Sequence, residues 1–361
     1  MAPLTGSTVS AVRPWILLAV LVAAASAAFE LLGLPTPLLF GGLVGALVYA
    51  LARPGRPLAL PKASFTAGQA VVGVIIGATI DWSSLGDLGT DWLIVLLVSC
   101  FSLVVSVLVG QLLMRHDVSR ATATFSSIAG GAAGLTALAQ DLGADARVVA
   151  VLQYLRLLVV LVTLPVIVAI GFGAGGDGAS TITNRDSARD VAIDVALSAS
   201  AIAIGLIAGK LLRLPAYAIL GPLVAASLLT LIPVFEDAGV PFVVAAVGYL
   251  AIGVQVGLKF TVASVRAIGA MVPTALLTIG ITLAACGGLG WLLTATTDAS
   301  GLDAYLATTP GGIYAVMGTA AEASDDPGFV AASQVLRLLI VLGSAPFVAT
   351  YLRRFDDRPP A

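Results

Sequence analysis

Apolar runs of about 20 residues, the length an α-helix needs to cross a bilayer, recur along the whole chain with short polar turns between them. In the first half they fall at 13–32, 36–52, 64–81, 91–113, 119–142 and 147–172. In the second half they fall at 192–212, 215–233, 241–259, 267–294, 302–323 and 328–352. The runs are continuous, not alternating, so they predict helices and argue against barrel strands. Two of them are interrupted: 119–142 carries Gly130-Gly131-Ala-Ala-Gly134, and 302–323 carries Pro310-Gly311-Gly312. The one long polar connection, 173–190, is rich in Gly, Ser, Thr and charge and reads as a linker between halves.

The two halves are copies. Gly130/Gly311, Gly131/Gly312, Asp145/Asp326, Gln153/Gln334, Arg156/Arg337 and Pro165/Pro346 match in one frame, 181 positions apart. Upstream, Pro35/Pro215, Gly41/Gly221, Gly68/Gly248, Gly73/Gly253 and Gly77/Gly257 match 180 positions apart. One residue inserted ahead of the glycine break accounts for the change of frame. Glycines match easily by chance in a chain with 39 of them, but Pro, Gln, Arg and Asp do not. A repeat of this length sets the architecture. It also argues that 13–32, whose Arg13 and Ala25-Ser26-Ala27 imitate a leader peptide, is the first membrane helix, because its mate 192–212 lies mid-chain.

Charge relates the copies. Loop 53–62 carries Arg53, Arg56 and Lys62, whereas its counterpart carries Glu236 and Asp237. Loop 81–91 carries Asp81, Asp87 and Asp91, against Lys259 and Arg266. Loop 115–120 carries Arg115 and Arg120, against Asp298 and Asp303. Lys and Arg mark the cytoplasmic side, so the copies have opposite orientation. Inversion needs an odd number of crossings per copy, and the broken run is the one expected not to cross. The expectation is an all-α polytopic membrane protein, an inverted-topology 5+5 repeat with two glycine-broken re-entrant hairpins at 119–142 and 302–323. Repeat 1 is 13–172, the linker 173–190 lies outside, repeat 2 is 191–353, and both termini are cytoplasmic. Trp15, Trp82, Trp92 and Trp291 then fall at interfaces.

Composition agrees and narrows the chemistry. Of 361 residues, 59% are hydrophobic and 11% charged, with a mean hydropathy of +1.05, and a soluble domain carries about 25% charge. No basic tract suggests nucleic acid. Cys100 and Cys286 lie in apolar runs and read as small buried hydrophobes, and the single histidine, His116, reads as a solvated loop residue. No metal-ligand set, cofactor fingerprint or catalytic triad is expected, and no enzyme. Glu30, at the outer end of the first helix, and Asp194, at the start of its repeat mate, are expected at the interface.

The chemistry is expected at the breaks. Non-helical backbone at membrane depth needs protein or a watery cavity to satisfy it, and paired broken helices mark transporter sites. The free N–H groups after Gly130-Gly131 and Gly311-Gly312 suit an anion, and Ser126, Ser127, Thr308 and Thr309 offer hydroxyls just before. Close packing of small residues is the alternative there, and is favoured for Gly41/Gly45, Gly73/Gly77 and Gly253/Gly257. Arg156 and Arg337 fall about ten residues, roughly 15 Å, into their helices, with Gln153 and Gln334 on the same face. They hold an anionic ligand, or they form internal ion pairs, Arg156 with Asp141 and Arg337 with Glu322.

The stretches Leu34-Pro-Thr-Pro-Leu-Leu-Phe-Gly-Gly, Ile128-Ala-Gly-Gly, Leu152-Gln-Tyr-Leu-Arg-Leu-Leu and Thr309-Pro-Gly-Gly resemble the duplicated AbrB membrane family of bacteria over residues 13–352. The resemblance implies a bacterial cell-membrane protein, in a family labelled either as regulators of gene expression or as ammonia monooxygenases, and distinct from the small DNA-binding AbrB. The absence of metal ligands speaks against the oxygenase label. The expected function is secondary transport of a small anionic solute by alternating access, with a coupling H+ or Na+ in view. The alternative is a membrane-embedded regulator acting through a partner. The expected partners are the lipid bilayer and the solute, with no nucleic acid and with a homo-oligomer left open.

Overall fold

The structure is a computed structural model. It describes residues 6–54, 57–80, 91–129, 139, 144–173, 182–183, 187–214, 216–260 and 269–353. Gly130, Gly131, Asp141, Trp82 and most of loop 81–91 lie outside the described residues. The first copy supplies α1 (Gly6–Leu31), α2 (Pro37–Ala52), α3 (Lys62–Thr79), α4 (Asp91–Gly110, continued by a 3-10 turn Gln111–His116), α5 (Arg120–Ser127) and α6 (Ala146–Phe172). The second supplies α7 (Ala188–Leu211), α8 (Tyr217–Leu229), α9 (Phe242–Leu258), α10 (Val272–Thr296, after a 3-10 turn Gly269–Met271), α11 (Gly301–Thr308), α12 (Ile313–Ala323) and α13 (Pro327–Arg353).

Six of these helices are long and apolar enough to cross a membrane, and they form three pairs of repeat mates: α1 and α7, α4 and α10, α6 and α13. The protein is an all-α membrane protein. Helices α2, α8 and α9 are equally apolar but shorter, at 16, 13 and 17 residues. At about 1.5 Å per residue, α8 is about 20 Å long. The second broken run is observed as two helices, α11 and α12, separated at Thr309–Gly312. Pro310 biases Thr309 out of the helical region, and Thr309 has φ −58° and ψ 125°. Gly312 then takes φ +58°, a conformation that glycine alone adopts without cost.

The chain divides into two compact units that do not coincide with the two copies, since each takes segments from both. The first comprises Met1–Ile80, Val162–Ala263 and Met317–Ser324. In it α2 packs on α9 and α3 on α8, so each copy's short helix lies on the other copy's. The contacts repeat with the sequence. A Cβ on Gly73 would lie 2.3 Å from the Ile219 carbonyl oxygen, and one on its mate Gly253 would lie 2.2 Å from that of Leu39, the mate of Ile219. Gly77 against Leu223 and Gly257 against Leu43 show the same at 2.2 and 2.4 Å. Gly41 and Gly45 likewise press on the backbone of Ser26 and Val22 in α1. These glycines let helix backbones approach closely. Gly253→Leu is expected to cost about 3 kcal/mol, at the upper end of overpacking penalties, because the obstacle is backbone that cannot rotate away. Gly280→Ala, where nothing lies within 4 Å, is expected to be neutral or slightly stabilising; thermal unfolding of the two variants in detergent checks both.

Two sequence readings in this unit gain detail. Asp194 is buried within the protein, at 1% exposure: it accepts hydrogen bonds from the Gly239 N–H at 2.9 Å and the Thr183 hydroxyl at 2.5 Å. Part of the linker is also ordered. Ile182–Thr183 pairs in parallel with Val240–Pro241, and Asp194 fastens both strands to α7. The cause is common to both: a buried carboxylate needs donors, and the linker supplies one of them. Glu30 is exposed.

The second unit comprises Asp81–Leu161, Ser264–Val316 and Asp325–Ala361. It brings together α4, α5, α10, α11 and α13 with the first part of α6. His116 is partly buried here and shares a 2.7 Å hydrogen bond with the Thr274 hydroxyl, so it is not simply solvated. Cys286 is buried as expected, but Cys100 is exposed on α4.

Candidate functional site

Helices α5 and α11 are eight residues each, and both start from a serine cap: Ser119 accepts the Thr122 N–H at 3.1 Å and Ser300 the Asp303 N–H at 3.2 Å. Both stop just ahead of a glycine pair. A helix this short leaves its last carbonyls without intrahelical partners, and in a membrane protein they need donors from elsewhere. The polar pair of the following long helix supplies them. Gln153 Nε2 donates to the Phe125 carbonyl at 2.8 Å, and Arg156 Nη1 to the Ser127 carbonyl at 2.8 Å. In the second copy Gln334 Nε2 donates to Leu306 at 2.7 Å, and Arg337 Nη1 to Thr308 at 3.3 Å and to Thr309 at shorter range. The negative end of each half-helix thereby meets a guanidinium.

The copies differ in how far their pairs are satisfied. Arg337 Nη2 also donates to Gln334 Oε1 at 2.8 Å, which closes that pair on itself. Among the described residues Arg156 Nε, Gln153 Oε1 and the Ser126 hydroxyl have no hydrogen-bond partner. Beside them is a cavity of about 20 Å³ lined by Ser126, Ser127 and Arg156 together with Thr278 and Thr282 of α10. That volume holds about one water molecule. Arg156 and Arg337 are each 7% exposed and close enough for their charges to repel, and Cys286 lies within electrostatic reach of both.

The remaining expected residues divide. Ser127, Thr308 and Thr309 stand at the half-helix ends, but their hydroxyls donate back to carbonyls of their own helices, Thr124, Ala304 and Tyr305, at 2.8, 3.0 and 2.7 Å. What they keep for a ligand is acceptor capacity. Gly311 and Gly312 lie against α6: a Cβ on Gly311 would be 3.3 Å from Val160, and one on Gly312 2.9 Å from Leu157. On that face the second break is filled by packing. Glu322 belongs to the first unit and accepts the Thr36 N–H at 2.6 Å, while Arg337 donates to two carbonyls and Gln334. Gly130, Gly131 and Asp141 lie outside the described residues.

The sequence reading missed the carbonyl partners of the Gln–Arg pairs. Both glutamines reach back 28 residues to equivalent carbonyls, which no side-chain pattern in the sequence marks. It also missed a second matched pair. The Asp145 N–H donates to Thr122 Oγ1 at 3.0 Å and the Asp326 N–H to Asp303 Oδ2 at 3.2 Å, tying the start of each long helix to its half-helix.

A duplicated, membrane-embedded chain with these motifs is matched over residues 38–353 by the family model described as "Transition state regulatory protein AbrB". The chain belongs to the AbrB family. It is 33% identical over 355 residues to the Escherichia coli (strain K12) protein named "Putative regulator AbrB", covering 97% of this chain and 99% of that one. It is 23% identical over 336 residues to "Uncharacterized protein YhjN" of Bacillus subtilis (strain 168), covering 88% and 87%. Its size and apolar helices place it with the membrane AbrB proteins and apart from the small DNA-binding regulator that shares the name.

Proposed function

We propose that this AbrB-family protein is a secondary transporter of a small anionic solute, working by alternating access in the bacterial cell membrane. The observation that carries the proposal is the pair of buried guanidiniums in one compact unit, each at the end of a broken half-helix. No carboxylate among the described residues bonds either of them. Two like charges in an apolar protein need compensation, and carbonyl dipoles supply only part of it. An anion beside Arg156, where donor capacity remains open, would supply the rest. The inverted 5+5 topology, the re-entrant entry of the broken runs and cytoplasmic termini belong to the same proposal. They are supported by the sign changes of the loop charges.

The name of the Escherichia coli relative supports a second reading, a membrane-embedded regulator of gene expression acting through a partner. Purified protein in liposomes separates the two. A panel of labelled organic and inorganic anions is expected to include one that is taken up, and Arg156→Ala is expected to lower that uptake about tenfold, the effect of losing a charge-assisted contact. Thr278→Val and Thr282→Val, which line the cavity without holding the half-helix carbonyls, are expected to lower uptake while the unfolding temperature stays put. No uptake across the panel, together with altered transcription in a deletion strain, would favour the regulator.

A further inference from the structure

Several polar side chains that serve the fold occur in both copies: Ser119/Ser300, Gln153/Gln334, Arg156/Arg337 and Asp145/Asp326 make equivalent bonds. A further buried polar cluster surrounds Glu322, whose mate Asp141 lies outside the described residues. Glu322, near the C-terminal end of α12 and partly buried, accepts the Thr36 N–H at 2.6 Å. Thr36 is fully buried, and its hydroxyl as well as its N–H faces this carboxylate. Tyr249 of α9 is 2% exposed and lies within electrostatic reach of Glu322, and its OH has no partner. Its ring packs 3.2 Å from where a Cβ on Gly318 would be, which places it against α12. Thr319, one turn before Glu322 and with no exposed surface, has an unpartnered hydroxyl as well. All of these residues belong to the first unit.

The mates of Thr36, Tyr249 and Thr319 are Ala216, Gln69 and Leu138, so the hydroxyl set is not repeated. The fold does not require it. Ala216 adopts the same left-handed conformation as Thr36, φ 49° against 50°, without a hydroxyl. Two buried hydroxyls without partners, those of Tyr249 and Thr319, are costly unless something joins them.

We propose that Glu322 is a proton-binding site, with Tyr249, Thr36 and Thr319 as its hydroxyl partners. A hydroxyl donates to an ionised carboxylate and accepts from a protonated one, so this set serves both states. Around Glu322 the α2 start contributes Thr36 and the apolar Leu39, α9 contributes Tyr249 as its one titratable group, and no cation among the described residues bonds the carboxylate. The step is simple in its balance: a proton from water joins the carboxylate oxygen left free by the Thr36 N–H, and leaves to water again. Proton binding stands whether or not the protein transports. Its use as a coupling step rests on the transport proposal, and the measurement below reads the first without the second.

The test is infrared difference spectroscopy between acidic and alkaline pH on the full chain in lipid nanodiscs. A carboxylic-acid carbonyl band is expected at acidic pH, lost as pH rises and absent from Glu322→Gln. In Tyr249→Phe the same band is expected at a changed frequency, with its midpoint moved by roughly half a pH unit, about threefold in proton affinity. Tyr249→Phe also carries the test if Glu322→Gln does not fold. Identical difference spectra for wild type and Glu322→Gln, or an unmoved band and midpoint in Tyr249→Phe, overturn the proposal. Loss of the band on adding Na+ at fixed pH also overturns it, in favour of a sodium site.

Discussion

Arg337→Met is expected to lower the stability of the protein by about 3 kcal/mol, and Arg156→Met by about 1 kcal/mol, in chemical unfolding of the purified protein in detergent. The difference follows from what each substitution leaves behind. Methionine keeps most of the volume, so cavity formation contributes little. Losing Arg337 strands the Thr308 carbonyl and the side-chain oxygen of Gln334, two buried acceptors, and takes from the Thr309 carbonyl its charged donor, leaving it the Gly311 N–H at 3.1 Å. Losing Arg156 strands the Ser127 carbonyl, while its Nε has no partner to lose among the described residues. Each substitution also removes a buried like charge from the other's field, which offsets part of the cost. Arg337→Lys is expected to recover less than half of the loss, because one ammonium cannot meet both carbonyls and Gln334 in the planar fork that the guanidinium uses. Equal costs for the two arginines would show that the copies hold their half-helices equally. The division of labour proposed here, Arg337 as structure and Arg156 as ligand contact, would then fail.

That division was only half legible in the sequence. The offset between the copies marks Gln153, Arg156, Gln334 and Arg337 as a set, and the depth of the arginines in apolar helices says that they need partners. What it could not give was the identity of those partners, because backbone carbonyls carry no sequence signal. The acids that the sequence offers are Asp141 and Glu322. The structure gives Glu322 a different neighbour, Thr36, 286 residues away. Asp194 shows the same limit. As the first acid beyond a polar linker it has the appearance of an interfacial residue, and only the fold shows that the Gly239 N–H and the Thr183 hydroxyl close over it. Helix positions were more readable, because continuous apolar runs report burial in lipid or protein directly. The run 147–172 became Ala146–Phe172, and 328–352 became Pro327–Arg353. Other ends moved: 215–233 shortened to Tyr217–Leu229 and the helix of 13–32 starts at Gly6, because apolarity alone does not show where a run leaves the helix. The Gly73/Gly253 and Gly77/Gly257 spacings anticipated close packing, but not that each copy would press on the other copy's helix.

Cysteine labelling at the two repeat-mate turns is expected to give opposite, all-or-none results. In a background with Cys100 and Cys286 replaced, a membrane-impermeant maleimide applied to intact cells should label Asp326→Cys and leave Asp145→Cys untouched; inverted membrane vesicles should reverse the pattern. Both positions sit just ahead of a long helix, and Asp145 is exposed. Each aspartate accepts N–H groups of the following turn, Arg147 and Val148 for Asp145 and Phe329 for Asp326, so each substitution removes a helix cap at a cost of about 1 kcal/mol. A protein of this size tolerates that loss. The opposite sidedness follows from the loop charges. Arg115 and Arg120 lead into the first broken run from the positive, inner side, whereas Asp298 and Asp303 lead into the second from the outer side. If each broken run returns to the face it entered, Asp145 is inside and Asp326 outside. If the runs cross, both positions change sides together, the number of crossings per copy becomes even, and the copies can no longer be inverted by an odd count. Labelling of Asp145→Cys from outside would therefore remove the re-entrant hairpins. With them would go the meeting of two half-helices from opposite faces, on which alternating access around the two arginines depends.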